Sequence, residues 1–252
     1  MKFLDSTNRR EQGGVDRVMK RLMILFLLFI STCFIGKGQD SKPILNIHVA
    51  EAGTLDQISV TVPPCIDTGG SSFMCKLDVK ITGELNEKDF RTLSQLLEHR
   101  WFDLDLSEVN LTEIPRKAFM IKGGTNEGST VCDAWVQKII LPSTLIKIND
   151  LAFAKCEYLK EVDLSKCTKL NYVGYMAFGS CENLLSIDLS NCTELKILGN
   201  NAGSIGPFNE CKRLKQMILP PNLEIIDSDT FRSCIYNHRT TKTNQKYPSV
   251  NL

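Results

Sequence analysis

A single periodicity restricts this chain more than any other feature. Leu145-x-x-Ile148, followed by Ala152-Phe153, Cys156, Leu159, Val162 and Leu164, returns as Leu170-x-x-Val173, Ala177-Phe178, Cys181, Leu184, Ile187 and Leu189, each position displaced by 25. A third copy runs through Leu195-x-x-Leu198, Phe208, Cys211, Leu214, Met217 and Leu219, and a fourth begins Leu223-x-x-Ile226, Phe231, Cys234. A degenerate copy precedes them: Leu111-x-x-Ile114, Ala118-Phe119, a polar Gly-rich insertion around Gly123 to Thr130, then Val136-x-x-Ile139-x-Leu141. A unit this short cannot bury its own apolar residues. Several must therefore stack, and stability comes from contacts between neighbours.

A period of roughly 20–29 residues carrying L-x-x-L-x-L-x-x-N/C-x-L is a leucine-rich-repeat signature, and Leu159-x-x-Val162-x-Leu164-x-x-Cys167 and Leu184-x-x-Ile187-x-Leu189-x-x-Cys192 fill it. Two unit types occur. Leu164 and Leu189 are followed by Ser-x-Cys-Thr, whereas Leu141 and Leu219 are followed directly by Pro. Each unit predicts one short strand with Val162 and Leu164, or their equivalents, pointing inward, because side chains alternate along a strand. The Ala-Phe-x-x-Cys segment predicts an outer wall, with Phe153, Phe178, Phe208 and Phe231 in a ladder beneath the strands.

These units resemble those of the BspA-type leucine-rich-repeat proteins of bacterial surfaces, which read L-P-x-x-L-x-x-I-x-x-x-A-F-x-x-C-x-x-L-x-x-V-x-L; Leu141 to Leu164 match nearly throughout. The likeness spans roughly residues 104 to 234. Upstream, Ala52-Gly53-Thr54-Leu55 and Leu77-x-Val79-x-Ile81-x-Gly83-x-Leu85 resemble the amino-terminal cap that precedes such repeats. The resemblance implies an α/β leucine-rich-repeat solenoid: a right-handed superhelix of short parallel strands with a helical or irregular outer wall. It also implies a secreted or surface-anchored protein that adheres to proteins, cells or other microbes, and it supplies no catalytic residues.

The chain divides accordingly into a leader over residues 1–38 with a signal peptide over 19–38, a cap region over 39–100, about five repeats over 101–234 with the last incomplete, and a polar tail over 235–252. Lys20 and Arg21 precede an apolar run from Leu22 to Ile35. That run falls short of the roughly 20 residues a membrane-spanning helix needs and suits a signal-peptide core. Residues 1–18 are polar and lie upstream of the basic pair, which points to translation beginning at Met19. Cleavage after Gly36 to Gly38 competes with lipidation of Cys33, whose preceding Ile30-Ser31-Thr32 resembles a bacterial lipobox. The tail lacks the expected L-x-x-V-x-L strand, which suggests truncation or disorder after Cys234.

The net charge of +1 offers no field for nucleic acid. Cys156, Cys181, Cys211 and Cys234 share one repeat position and Cys167 and Cys192 another, the columns expected of buried ladder residues rather than metal ligands. Cys65 and Cys75, outside the repeats, are the disulfide candidates. His48, His99 and His238 are scattered and adjoin no nucleophile motif, so neither catalysis nor a metal or cofactor is expected.

Alternation instead nominates a binding face, taken as concave. One outward column reads Asp105, Ile140, Asp163, Asp188 and Ile218, and a second reads Asp103, Lys138, Glu161, Ser186 and Gln216. The Gly-rich insertion at Lys122 to Thr130 and the expansion at Asn200 to Gly206 are secondary contact candidates. The expected partner is a protein or glycan on host or neighbouring cells, with membrane contact only through a lipid anchor. An envelope scaffold that self-associates is the runner-up, and a hydrolase using Cys or Asp is a more distant alternative.

Overall fold

The computed structural model describes residues 42–62, 76–98, 100–122, 130–131, 135–199, 205–227, 229–234 and 249–251. The leader, Cys33, Cys65, Cys75, His99, His238 and most of both insertions lie outside the described residues.

Five strands form one parallel sheet in the order β1 (Ile44–Val49), β2 (Lys76–Glu84), β3 (Trp101–Asn110), β7 (Trp135–Ile140) and β9 (Glu161–Asp163). Between β3 and β7 run β4 (Glu113–Ile114), β5 (Ile121–Lys122) and β6 (Thr130–Val131), the last two pairing as an antiparallel hairpin. Beyond β9 come β11 (Ser186–Asp188), β13 (Gln216–Ile218) and β15 (Ser249–Asn251), also parallel, with β11 lying against β9. A second ladder of two-residue strands runs alongside: β4, β8 (Lys147–Ile148) and β10 (Tyr172–Val173), then β12 (Ile197–Leu198) with β14 (Ile225–Ile226). Each of the five coils that begin at β3, β7, β9, β11 and β13 thus contributes one strand to each ladder. Parallel pairing follows because every coil returns in the same direction.

The cap is built on the same plan. Leu45, Ile47 and Val49 of β1 and Leu77, Val79 and Ile81 of β2 alternate inward and are buried, and both strands extend the main sheet, with a shift of register between β2 and β3 after Lys80. Gly83 has φ +97, and a Cβ there would meet the Val49 carbonyl oxygen at 2.1 Å, so glycine is what lets β1 and β2 close at that end. After β2 the outer wall is a helix, α1 (Glu87–Leu96), which buries Phe90 and Leu93. Asn86 and Asp89 form a reciprocal capping box at its start. Asp89 is buried and also accepts from the N–H groups of Gly53 (2.5 Å) and Leu55 (2.9 Å), which ties the loop after β1 to the helix.

In the coils that follow, the Ala-Phe-x-x-Cys turns replace the helix and stack as the periodicity predicts. Phe119, Phe153, Phe178, Phe208 and Phe231 form a continuous stack with centroids 5.3, 5.1, 5.4 and 6.0 Å apart. Phe90 meets its end edge-on at 5.7 Å. Backbone bonds link the same turns: Phe153 N–H donates to the Ala177 carbonyl (2.7 Å) and Phe178 N–H to that of Pro207 (2.8 Å). Orienting these groups takes left-handed backbone at two recurring non-glycine positions, one before Ala-Phe (Lys117, Leu151, Met176) and one before Cys (Lys155, Ser180, Glu210, Ser233), with φ between 45 and 61.

The cysteine column is buried and hydrogen-bonded. Cys181, Cys211 and Cys234 each donate a thiol hydrogen to the carbonyl of the phenylalanine one coil earlier, Phe153, Phe178 and Phe208, at 3.1 Å. All six repeat cysteines are free. Burial pushes the Cys167 and Cys192 thiols up to about 12 and holds Cys211 well above its ordinary value.

One expectation is corrected. The tail does carry a strand: Ser249, Val250 and Asn251 lie in register with Gln216, Met217 and Ile218. The repeat pattern missed it because earlier coils place their strand five residues after the cysteine, as Cys211 does before Gln216, whereas here Ser249 follows Cys234 by fifteen.

Two predictions follow from the stack. Phe178→Ala leaves a ring-sized void between two coils and should lower unfolding free energy by about 3–5 kcal/mol in a denaturant titration. Thiols with raised values confer stability that is fully present below the unfolded value, about 9, and is lost as pH rises from there toward about 12. The melting temperature should fall across that window, less steeply in a Cys167→Ala, Cys192→Ala double variant.

Candidate functional site

The ten nominated residues form two columns on the outward face of the main sheet. Asp103, Lys138 and Glu161 are register partners across β3, β7 and β9, as are Asp105, Ile140 and Asp163. Farther along, Ser186 pairs with Gln216 and Asp188 with Ile218. The columns extend into the cap, since Asp78 pairs with Asp103 and Lys80 with Asp105. All ten are exposed or half-buried.

The column of Asp105, Ile140, Asp163, Asp188 and Ile218 has an internal structural cause. Asp105, Asp163 and Asp188 each accept, through Oδ1, the backbone N–H of the residue two positions on: Ser107 (2.8 Å), Ser165 (2.9 Å) and Ser190 (2.9 Å). Asp163 and Asp188, the last residues of β9 and β11, therefore close the turn that ends their strand, as Asp side chains do in Asx turns, whereas Asp105 makes the same bond within β3. Ile140 and Ile218 precede Pro142 and Pro220 at that same offset, and proline has no N–H to cap. The alternation of acidic and apolar residues thus follows the two unit types. The Ser165 hydrogen bonds, aided by Lys138, hold the Asp163 carboxyl below its ordinary value.

The other column carries cross-strand ion pairs. Lys76 Nζ lies 2.6 Å from Asp103 Oδ2, and Lys138 Nζ lies 2.6 Å from Glu161 Oε1. The Glu161 pairing holds Lys138 above its usual range. These pairs are solvent-exposed and contribute little stability, about 0–1 kcal/mol each. Ser186 and Gln216 are exposed.

Beside these columns lies a feature that strand alternation alone does not reveal. Trp101 and Trp135 are register partners at the first positions of β3 and β7, and Tyr158 from the turn before β9 packs against both. The ring centroids are 5.6 Å apart for the two tryptophans, 4.6 Å for Trp101 and Tyr158, and 5.7 Å for Trp135 and Tyr158. All three are half-buried. The signal available in the sequence was that both tryptophans of the chain stand one residue before an inward apolar residue, Phe102 and Val136.

On another side, a cleft of about 350 Å³ between α1 and the second ladder is lined by Asn86, Glu113, Arg116, Asn149, Asp150 and Tyr172 among others. Its polar groups serve the fold: Asp150 Oδ1 accepts from Tyr172 Oη (3.1 Å) and from the Tyr175 N–H (2.9 Å), and Glu113 accepts from Asn149 (3.1 Å) and pairs with Lys147 (3.0 Å). Among the described residues no group of three or more His, Cys, Asp or Glu is arranged to hold a metal ion. Among them, too, no helix is long and apolar enough to cross a membrane.

Two stacked ladders of short parallel strands with a repeated outer wall define a leucine-rich-repeat solenoid. Residues 131–249 match the family model of the BspA type leucine rich repeat region in six copies. No curated protein matches the chain. Among solved structures it is similar to a leucine-rich repeat protein from Bacteroides ovatus ATCC 8483, at 16% identity and a TM-score of 0.35, over 64% of this chain and 46% of that one. The chain spans less than half the length of that relative.

The two columns make separable predictions. Asp163→Ala removes a turn-closing carboxylate and should lower stability by about 1–2 kcal/mol. Glu161→Ala, on the neighbouring exposed position, should change it by no more than about 0.5 kcal/mol in the same denaturant titration.

Proposed function

We propose that this protein is an exported binding module, without catalysis, that recognises a protein on a host or neighbouring cell through the outward face of its main sheet. One observation carries the reading: the column of Asp103, Lys138, Glu161, Ser186 and Gln216 lies on the outward sheet face, in register from β3 to β9 and again from β11 to β13, and closes no turn of the fold. Residues kept off the core and off the turns are free to be selected for a partner. The match of residues 131–249 to the BspA-type family supports a protein-interaction role. The apolar run of Leu22 to Ile35 behind Lys20 and Arg21 supports export.

A second reading, self-association as an envelope scaffold, is favoured by a different face. Tyr172, Ile197 and Ile225 occupy equivalent outward positions of β10, β12 and β14, and Ile197 and Ile225 are 39% and 38% exposed. Oligomers that grow with concentration on a sizing column, and dissolve in an Ile197→Lys variant, would favour that role.

The adhesion reading is tested by solid-phase binding of the chain to a panel of matrix proteins and whole bacterial cells. The comparison is with a Glu161→Lys, Gln216→Lys double variant, chosen because neither side chain caps a turn. Saturable binding that falls at least about tenfold in the variant is expected, a loss of the size that central interface residues produce. Binding unchanged in a variant of equal melting temperature would move the contact off this face.

A further inference from the structure

We propose that the cluster of Trp101, Trp135 and Tyr158 is a stacking platform for a neutral sugar ring, so that the outward face binds the glycan of its partner at this point. The proposal rests on the binding role given above and adds the chemistry and the place.

The geometry narrows the ligand first. The three rings are mutually tilted by 57 to 65°. In the plane of the three centroids, the point equidistant from them lies about 3 Å from each, inside the roughly 3.5–4.0 Å that two carbon atoms keep. No guest therefore fits between the rings in the plane of their centroids. A ligand has to lie against the exposed side of the rings. The C–H bonds on one face of a pyranose carry partial positive charge and suit the negative face of an aromatic ring.

Charge narrows it further. The groups that follow the rings on the same strands are paired across strands: Lys76 with Asp103 and Lys138 with Glu161, each at 2.6 Å. With Lys42, which lies 3.8 Å from Asp78 and 3.5 Å from Asp103, these pairs carry three positive and three negative charges, which cancel, so the surroundings favour neither an anion nor a cation. They nonetheless present donors and acceptors side by side, which is what hydroxyl groups, each donor and acceptor at once, require.

The two tryptophans of the cluster are the only two in the chain, so intrinsic tryptophan emission reports on this place alone. The full chain is titrated with chitotetraose, cellotetraose, maltotetraose and a mannan-derived tetrasaccharide, and separately with tetramethylammonium chloride. A saturable emission change with at least one sugar and none with tetramethylammonium is expected. The sugar affinity should fall at least about tenfold in Trp101→Ala, read from Trp135, and in Tyr158→Ser, whose altered residue sits in a turn. Melting curves establish that each variant is folded, and either one suffices if the other is not. No response to any sugar at millimolar concentration overturns the proposal. So does a response to tetramethylammonium alone, or a sugar response that is undiminished in a folded variant. The same samples are tested on the matrix-protein panel: protein binding retained with no sugar response sinks the glycan platform only, whereas a sugar response with no protein binding sinks only the protein reading.

Discussion

The coils of this solenoid depend on one contact, the face of each outer-wall phenylalanine lying against the next. A ring in an isolated coil would be open to water on both sides. In the stack Phe119, Phe153, Phe178 and Phe208 are at most 1% exposed. The backbone follows the rings, since each turn offers N–H groups to carbonyls one coil on, and the cysteine thiols return bonds to the phenylalanine carbonyls behind them. Left-handed residues are tolerated at two places per turn because this repeated bonding outweighs their cost of roughly 1–2 kcal/mol apiece. At the amino-terminal end Phe90 turns edge-on to Phe119, and a capped helix replaces the turn. A helix satisfies its own backbone and needs no preceding coil, which suits it to the start of a stack.

That repetition also dictates part of the surface. Where the strand ends in Leu-Ser, an aspartate before it closes the turn; where it ends in Leu-Pro, no N–H is offered and isoleucine stands there instead. Half of the exposed sheet face is therefore written by the requirements of turning the chain. Only the neighbouring columns are left to chemistry unrelated to folding, and those are the ones with cross-strand ion pairs and the aromatic cluster.

The repeating units were legible because the order of Leu, Phe and Cys positions survives changes in the length of a coil, and the phenylalanine and cysteine columns followed from it directly. The two outward columns were legible too, through strand alternation, although the turn-closing role of Asp163 and Asp188 was not. Its sign, Asp-x-Ser against Ile-x-Pro, stood in the sequence, yet reading it requires the i to i+2 bond to be seen. The aromatic cluster was hidden for a different reason. Trp101 and Trp135 are separated by 34 residues, because the Gly-rich insertion lengthens that coil, and the ladder slips between Phe102 and Asp103. Tyr158 belongs to a turn, where strand alternation predicts nothing. The strand at Ser249 to Asn251 escaped because a long connection replaces the usual short one.

The parallel pairing of the main sheet makes its outward face a ruler. Hydrogen bonding between parallel strands sets the graduations about 4.7–4.9 Å apart, and no side chain can alter that interval. Substitution can change what is inscribed at a mark, and an inserted coil can lengthen the scale. The spacing between neighbouring marks stays constant, so a partner with its own regular repeat is measured against a fixed standard, whatever residues come to occupy the face.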